Sequence, residues 1–258
     1  MQRIMNRVLD YSDIAPYRDH EVPQAVRALL EAYSFLKVMK IVYPEMSKDE
    51  IISLCHGIRT VHDFQKHIAS PAIRLMIDKT ITELTYDGFE NLNGSGHLFI
   101  SNHRDIILDS ALMNILLLEH KLETTETAIG SNLLTNPTVR HLTKLNKNFT
   151  VQRGVNRREL YETSLKVSNY MRETISNGVG IWISQREGRA KDGNDRTQQG
   201  LLKMIGLSSR QGVKQGFIEL KIRPLALSYE YDPCDIFKVR ELVETQQARP
   251  YVKQEHED

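Results

Sequence analysis

Apolar residues between Pro23 and Ile41 recur at steps of three and four, with Val26, Leu29, Leu30, Tyr33 and Leu36 on one side of the pattern. That is the spacing of a helix with a single buried stripe, and Pro23 suits its first position. A second helix is announced by "SKDE" (47–50): Ser47 can accept from the third helical N–H while Glu50 reaches back to the Ser47 N–H. The apolar run "IISL" follows at once, and the pattern carries this helix toward Ala69. Ser70 and Pro71 read as an N-cap and a first-turn proline that open a third helix over 72–84. The first 85 residues therefore predict a helical unit.

Past the turn-rich "YDGFENLNGSG" (86–96) the pattern changes to short apolar runs of strand length. They fall at 97–101, 127–130, 148–152, 178–184 and 222–230, and helical patterns over 104–121, 136–145, 156–177 and 200–219 separate them. Strands alternating with helices predict an α/β fold, a mostly parallel central sheet flanked by helices, behind the N-terminal helical unit. The expected organisation is a helical unit over 1–85, an α/β domain over 86–240 and a polar, frayed tail over 241–258. No internal repeat or low-complexity segment interrupts it.

Composition narrows the function classes. Lys and Arg number 34 against 33 Asp and Glu in 258 residues, so no global charge argues for nucleic acid as a partner. The two cysteines, Cys55 and Cys234, are far apart and lack metal-ligand spacing, which argues against a disulfide framework or a zinc site and fits a reducing compartment. The opening "MQRIMNRVLDYSDIAPYRDHE" has no apolar core of signal-peptide type, so a cytoplasmic location is expected. "ALMNILLL" falls far short of the ~20 apolar residues of a membrane span, so any membrane contact is expected to be peripheral.

Three clusters carry possible chemistry. In "SNHRDIILDS" (101–110) a strand delivers His103 and a helix begins near Asp109. One reading is structural: Asp109 caps the helix while Asn102 or His103 satisfies loop backbone groups. The other is chemical: a carboxylate on Nδ1 fixes the tautomer that leaves Nε2 free to accept a proton, making His103 a candidate general base. In "NFTVQRGVNRRE" (148–159), Arg153 ends a strand and Arg157 and Arg158 open a helix, a setting for gripping an anion or a solvated basic face. In "SQREGRAKDGNDRTQQG" (184–200), Glu187 either orients a neighbouring arginine toward a phosphate or belongs to a loop whose Arg and Asp pair with each other.

Taken in order, "NHRDIILD", "FTVQR", "REGRAKDG" and "IRPLALSYE" resemble the four sequence blocks of the glycerophospholipid acyltransferase family, over roughly residues 67–232. That family includes the lysophosphatidate and glycerol-3-phosphate acyltransferases. Its first block is Asn-His, four residues, Asp; its third is Glu-Gly-Thr-Arg. Two departures stand out here. His103 and Asp109 are six steps apart where the family has five, so either one residue bulges before the helix, the preferred reading, or Asp105 takes the orienting role. Arg189 follows Gly188 with no Thr between them.

The resemblance implies acyl transfer from a thioester, on coenzyme A or acyl carrier protein, to a hydroxyl of lysophosphatidate, with glycerol 3-phosphate as the alternative acceptor. It implies His103 and Asp109 as the catalytic pair, and Arg153, Glu187, Gly188 and Arg189 as the residues that hold the acceptor's phosphate. Phe149 is expected to pack beneath that site. No resident metal or cofactor is implied, and the partners are the acyl donor, a phosphorylated glycerolipid and the cytoplasmic surface of a membrane. Leu36, Met39 and Ile41 are expected to serve core packing, or alternatively an acyl groove or the bilayer surface. Two rivals remain: a hydrolase using Cys234 as nucleophile with His103, and a catalytically silent lipid- or phosphate-binding module.

Overall fold

The structure, a computed structural model, describes residues 10–92, 96–247, 249 and 251–252. Residues 93–95 of the 86–96 link, and 248, 250 and 253–258 of the expected tail, lie outside the described residues. Among those described, five strands form one sheet: β1 (Leu98–Ser101), β2 (Glu126–Gly130), β3 (Asn148–Val151), β4 (Ile181–Ser184) and β5 (Arg223–Leu225). Their order is β3-β2-β4-β1-β5 and every neighbouring pair is parallel, as the alternating pattern predicted. All five strands thus end at one edge, where the loops of an α/β sheet can converge.

Side chains alternate across this sheet with a period of two. Leu98, Ile181 and Ile183 point to a core shared with Phe149 and with Val167, Met171 and Ile175 of α8 (Arg157–Ser176). Phe99 and Trp182 point the other way, onto Met113 and Leu117 of α6 (Leu108–Glu119). Leu98, Phe149 and Ile181 are fully buried, each contributing about 2 kcal/mol of hydrophobic stabilisation. The strand edge at β3 is covered by the incoming chain, where Thr150 N donates to Ile14 O at 2.9 Å.

Several elements differ from the sequence pattern. The apolar stripe of 23–41 belongs to two helices, α1 (Val22–Leu30) and α2 (Tyr33–Val42), with Ala32 extended between them. The capping box of Ser47 and Glu50 forms and opens α3 (Lys48–Gly57), which stops well before Ala69. A second capping box, Thr60 with Asp63, restarts the chain as α4 (Val61–Phe64). From there one wide turn over Gln65–Ala69 runs directly into α5 (Ser70–Thr80), so Ser70 and Pro71 lie inside a continuous helix instead of opening one. Pro71 has no N–H to offer the His67 carbonyl, and the Tyr43 hydroxyl donates to that carbonyl at 2.8 Å.

These helices enclose a core of their own, with Leu29, Phe35, Met39, Cys55 and Phe64 at its centre, which reaches Leu145 of α7 (Pro137–Leu145). Further along, the pattern over 200–219 resolves into α9 (Gln199–Gly206) and α10 (Val213–Glu219), separated at Gly212, whose φ of 88° is left-handed. A Cβ on Gly216 would lie 2.6 Å from Ser209 Cβ, which shows how closely the turn packs on α10. The pattern over 222–230 yields only the three residues of β5. Finally, α11 (Asp235–Gln246) has no counterpart among the predicted elements.

Replacing Tyr43 with Phe removes the donor to the His67 carbonyl. It should cost about 1 kcal/mol, a fall of roughly 2–4 °C in thermal midpoint, whereas the same change at Tyr33, 76% exposed, should leave the midpoint unmoved.

Candidate active site

After β1 the chain turns through 102–107 before α6 begins, and that turn absorbs the extra residue between His103 and Asp109. Asp105 Oδ1 accepts from Ile107 N and Leu108 N, each at 2.8 Å, so Asp105 is spent capping the start of α6. Asp109, in the first turn of the helix, is the carboxylate that meets the histidine: its Oδ2 lies 3.0 Å from His103 Nδ1. The same oxygen accepts from Arg104 N at 2.7 Å and Asp105 N at 2.9 Å, and Oδ1 accepts from the Tyr229 hydroxyl at 2.9 Å. Asp109 is 0% exposed, and these four donors satisfy a carboxylate that water cannot reach. The pairing assigns the ring proton to Nδ1 and leaves Nε2 available.

The loop around His103 is gripped from several directions. Asn102 bonds Leu227 twice, Nδ2 to Leu227 O and Leu227 N to Oδ1, both at 2.8 Å, so the structural role proposed for Asn102 exists alongside the His103–Asp109 pair. The His103 N–H donates to Asp195 Oδ2, and Gln185 Nε2 holds Asp195 through its carbonyl at 2.8 Å and its carboxylate at 3.0 Å. Ala190 N donates to His103 O at 2.8 Å. From α11, Lys238 is buried with its Nζ on Arg104 O at 2.6 Å and on the Asp232 carboxylate, while Arg104 Nε reaches Asp232 at 2.7 Å. Burial first, and the charge of Asp109 second, push the Tyr229 hydroxyl far above the ordinary phenol range, so it remains a donor.

His103 stands at the wall of a groove of about 740 Å³. Its origin lies in the sheet. β2 pairs with β4 only at Glu126 and Thr127, opposite Ile181 and Trp182, and the strands part beyond that point. Ala128, Ile129 and Gly130 line one side of the split, Ile183 and Ser184 the other, and Leu160 and Val167 of α8 with Leu201 and Met204 of α9 supply apolar walls.

Arg153, Arg186, Glu187, Gly188, Arg189 and Lys191 also border the groove, so five of the six predicted site residues line one cavity, while the sixth, Asp109, is buried behind His103 and does not line it. Arg153 Nη1 pairs with Glu187 Oε2 at 2.9 Å, linking the loop after β3 to the loop after β4, and its N–H donates to Ser131 Oγ at 3.0 Å. Gly130 lets the Asn132 side chain pack close by: a Cβ there would sit 2.5 Å from Asn132 Oδ1. Gly188 has a φ of 70°, a conformation open to glycine, and turns the chain so that Arg189, only 8% exposed, enters the groove wall.

Other expectations resolve differently. Arg157 and Arg158 are exposed on α8, and Arg158 pairs with Glu162 at 3.1 Å, which makes them a solvated face. The α8 N-terminal amides of Arg158 and Glu159 are taken by the Asn156 side chain at 3.1 Å, so they are not spare for an anion. Phe149 is fully buried and packs on the Tyr170 ring with centroids 5.3 Å apart, beneath the groove as expected. Leu36, Met39 and Ile41 do not line the groove; Met39 is core and Ile41 is 59% exposed. Cys234 caps α11 and is not part of the groove either.

Tyr229, Asp195, Lys238 and Glu241, which pairs with Lys191 at 2.7 Å, were not singled out by the sequence reading. Tyr229 falls inside the fourth block and Asp195 inside the 184–200 cluster, but their roles depend on contacts across 120 and 92 residues that no local pattern shows. Among the described residues, no helix is long and apolar enough to cross a membrane.

Comparison with known proteins adds one substantive match. The family model described as "Acyltransferase" covers residues 83–211, half of the chain. No curated protein matches. Among solved structures, the one titled "Structure of chloroplast FtsY from Physcomitrella patens" is similar at 8% identity and a TM-score of 0.30 over 87% of this chain and 77% of that one, a likeness too low to carry an argument.

Replacing Lys238 with Met leaves the Asp232–Arg104 pair without its buried cation, and denaturant unfolding should show a loss of about 3 kcal/mol. Asp105→Ala, which removes only the cap of α6, should cost about 1 kcal/mol by the same measurement.

Proposed function

This chain belongs to the acyltransferase family, and on that premise we propose that it moves a fatty acyl group from a thioester, on coenzyme A or acyl carrier protein, to a hydroxyl of lysophosphatidate. The observation that carries this reading is the His103–Asp109 pair, 3.0 Å apart, on a groove whose facing loops hold the Arg153–Glu187 pair. His103 Nε2 takes the proton from the acceptor hydroxyl as its oxygen attacks the thioester carbonyl. Asp109 stabilises the imidazolium that forms. When the C–S bond breaks, the same proton leaves with the thiol, so no acyl-enzyme intermediate is needed. General-base assistance of this kind is worth ~10²–10⁴ in rate.

The acceptor's phosphate is held by Arg153 and Arg189, with Glu187 fixing the Arg153 guanidinium and Gly188 shaping the turn between them. Binding the phosphate at a fixed distance positions the hydroxyl against His103, which turns a second-order encounter into a pre-aligned one. The apolar walls from α8 and α9 suit the hydrocarbon of an acyl chain. An acceptor embedded in a bilayer places the enzyme at the cytoplasmic face of a membrane as a peripheral protein.

Purified protein supplied with acyl-coenzyme A or acyl carrier protein and each acceptor tests this directly, with release of free thiol as the readout. Lysophosphatidate should support thiol release; His103→Ala should lower kcat by ~10² or more, and Arg153→Ala should raise the KM for the acceptor. Cys234→Ala should change neither. Consumption of neither thioester, or full transfer by His103→Ala, sinks the reading. Glycerol 3-phosphate outperforming lysophosphatidate would change the acceptor alone.

A further inference from the structure

Asp109 has two oxygens, and they are held very unequally. Oδ2 collects His103 Nδ1 and two backbone N–H groups from its own loop, whereas Oδ1 accepts from the hydroxyl of Tyr229 at 2.9 Å. A carboxylate anchored at one oxygen can rotate about its Cβ–Cγ bond; anchored at both, its plane is set. Tyr229 reaches Asp109 because the chain beyond β5 is tied down two residues earlier, where Leu227 exchanges two hydrogen bonds with Asn102, the residue beside His103. The same neighbour therefore fixes both the origin of the His103 loop and the distance of the tyrosine from Asp109.

We propose that Tyr229 is a positioning residue for the transfer reaction: its hydroxyl locks the plane of the Asp109 carboxylate so that Oδ2 stays aligned with His103 Nδ1 and the imidazole keeps Nε2 turned to the groove. The inference rests on His103 being the base of the proposed reaction. It assigns Tyr229 no contact with substrate, and Tyr229 does not border the groove. The phenol is also held protonated by its burial and by the adjacent carboxylate, so the donor is present throughout the pH range of an assay.

Tyr229→Phe removes one oxygen and keeps the ring. Nitrogen-15 spectra of the histidine rings, with His103 assigned by its loss in His103→Gln, should show a single Nδ1–H tautomer in the parent and a mixture with Nε2–H in Tyr229→Phe. In turnover, Tyr229→Phe should lower kcat by about tenfold with both KM values unchanged, and should add less than about twofold to the defect of Asp109→Asn, because the two act as a unit. An Nε2–H tautomer in the parent, which needs no variant to observe, overturns the proposal, as does an unaltered tautomer or an unaltered kcat in Tyr229→Phe. A loss that multiplies fully onto that of Asp109→Asn also overturns it. Full activity in His103→Ala instead brings down the underlying base assignment, and the two failures are told apart by which variant stays active.

Discussion

A carboxylate sealed from water must be matched on every face, and Asp109 imposes that requirement on the centre of this protein. Unmatched, it would cost several kcal/mol; matched, it dictates where its donors lie. The 102–107 turn folds back so that two backbone N–H groups and one imidazole reach a single oxygen, and the segment after β5 is drawn in to serve the other. Asn102 closes the circuit by joining that segment to the end of β1. The chain thus fixes the histidine of its candidate site by satisfying a buried aspartate, and one network holds both.

Space beside the histidine comes from a different constraint. β2 and β4 share a ladder only at their beginnings, and where they part the sheet gives way to a groove instead of to solid core. Side chains from α8 and α9 keep its walls apolar, while the loops after β3 and β4 carry the guanidinium groups to its rim. The site is thus an apolar slot with a cationic rim and a hydrogen-bonded imidazole at its wall. The Arg153–Glu187 pair spans two loops that no strand joins, which fixes the guanidinium at the modest cost of an exposed ion pair.

The last described helix extends this logic to the rear of the site. Lys238 is inside the protein because the Arg104 carbonyl and Asp232 await it there, and Glu241 meets Lys191 at the other side of the same loop system. A polar-looking segment thereby becomes part of the framework behind the candidate site. Buried lysine is tolerated only when its donors are used, and here they join Arg104, beside His103, to Asp232 in the segment before α11.

Local patterning along the chain determined the element types, because periods of two and near 3.6 reflect which face each segment must bury. It determined the parallel α/β class, the Ser47 capping box and the pairing of blocks that led to the acyltransferase family. The breaks inside 23–41 and 200–219 escaped it, since apolar stripes continue across an extended residue or a turn without changing period. So did α11, whose one deeply buried residue is a lysine. Whether Asp109 or Asp105 serves the histidine was equally undecidable from spacing: both lie within reach, and only the folded turn shows Asp105 consumed by the helix cap. Tyr229, Asp195 and Lys238 belong to the site through contacts across many tens of residues, and such contacts are created by the sheet order and the packing of α11. The sequence alone determined which residues are candidates for the chemistry; tertiary structure decided which of them face each other, because burial and hydrogen-bond satisfaction are properties of the assembled core and not of any local segment.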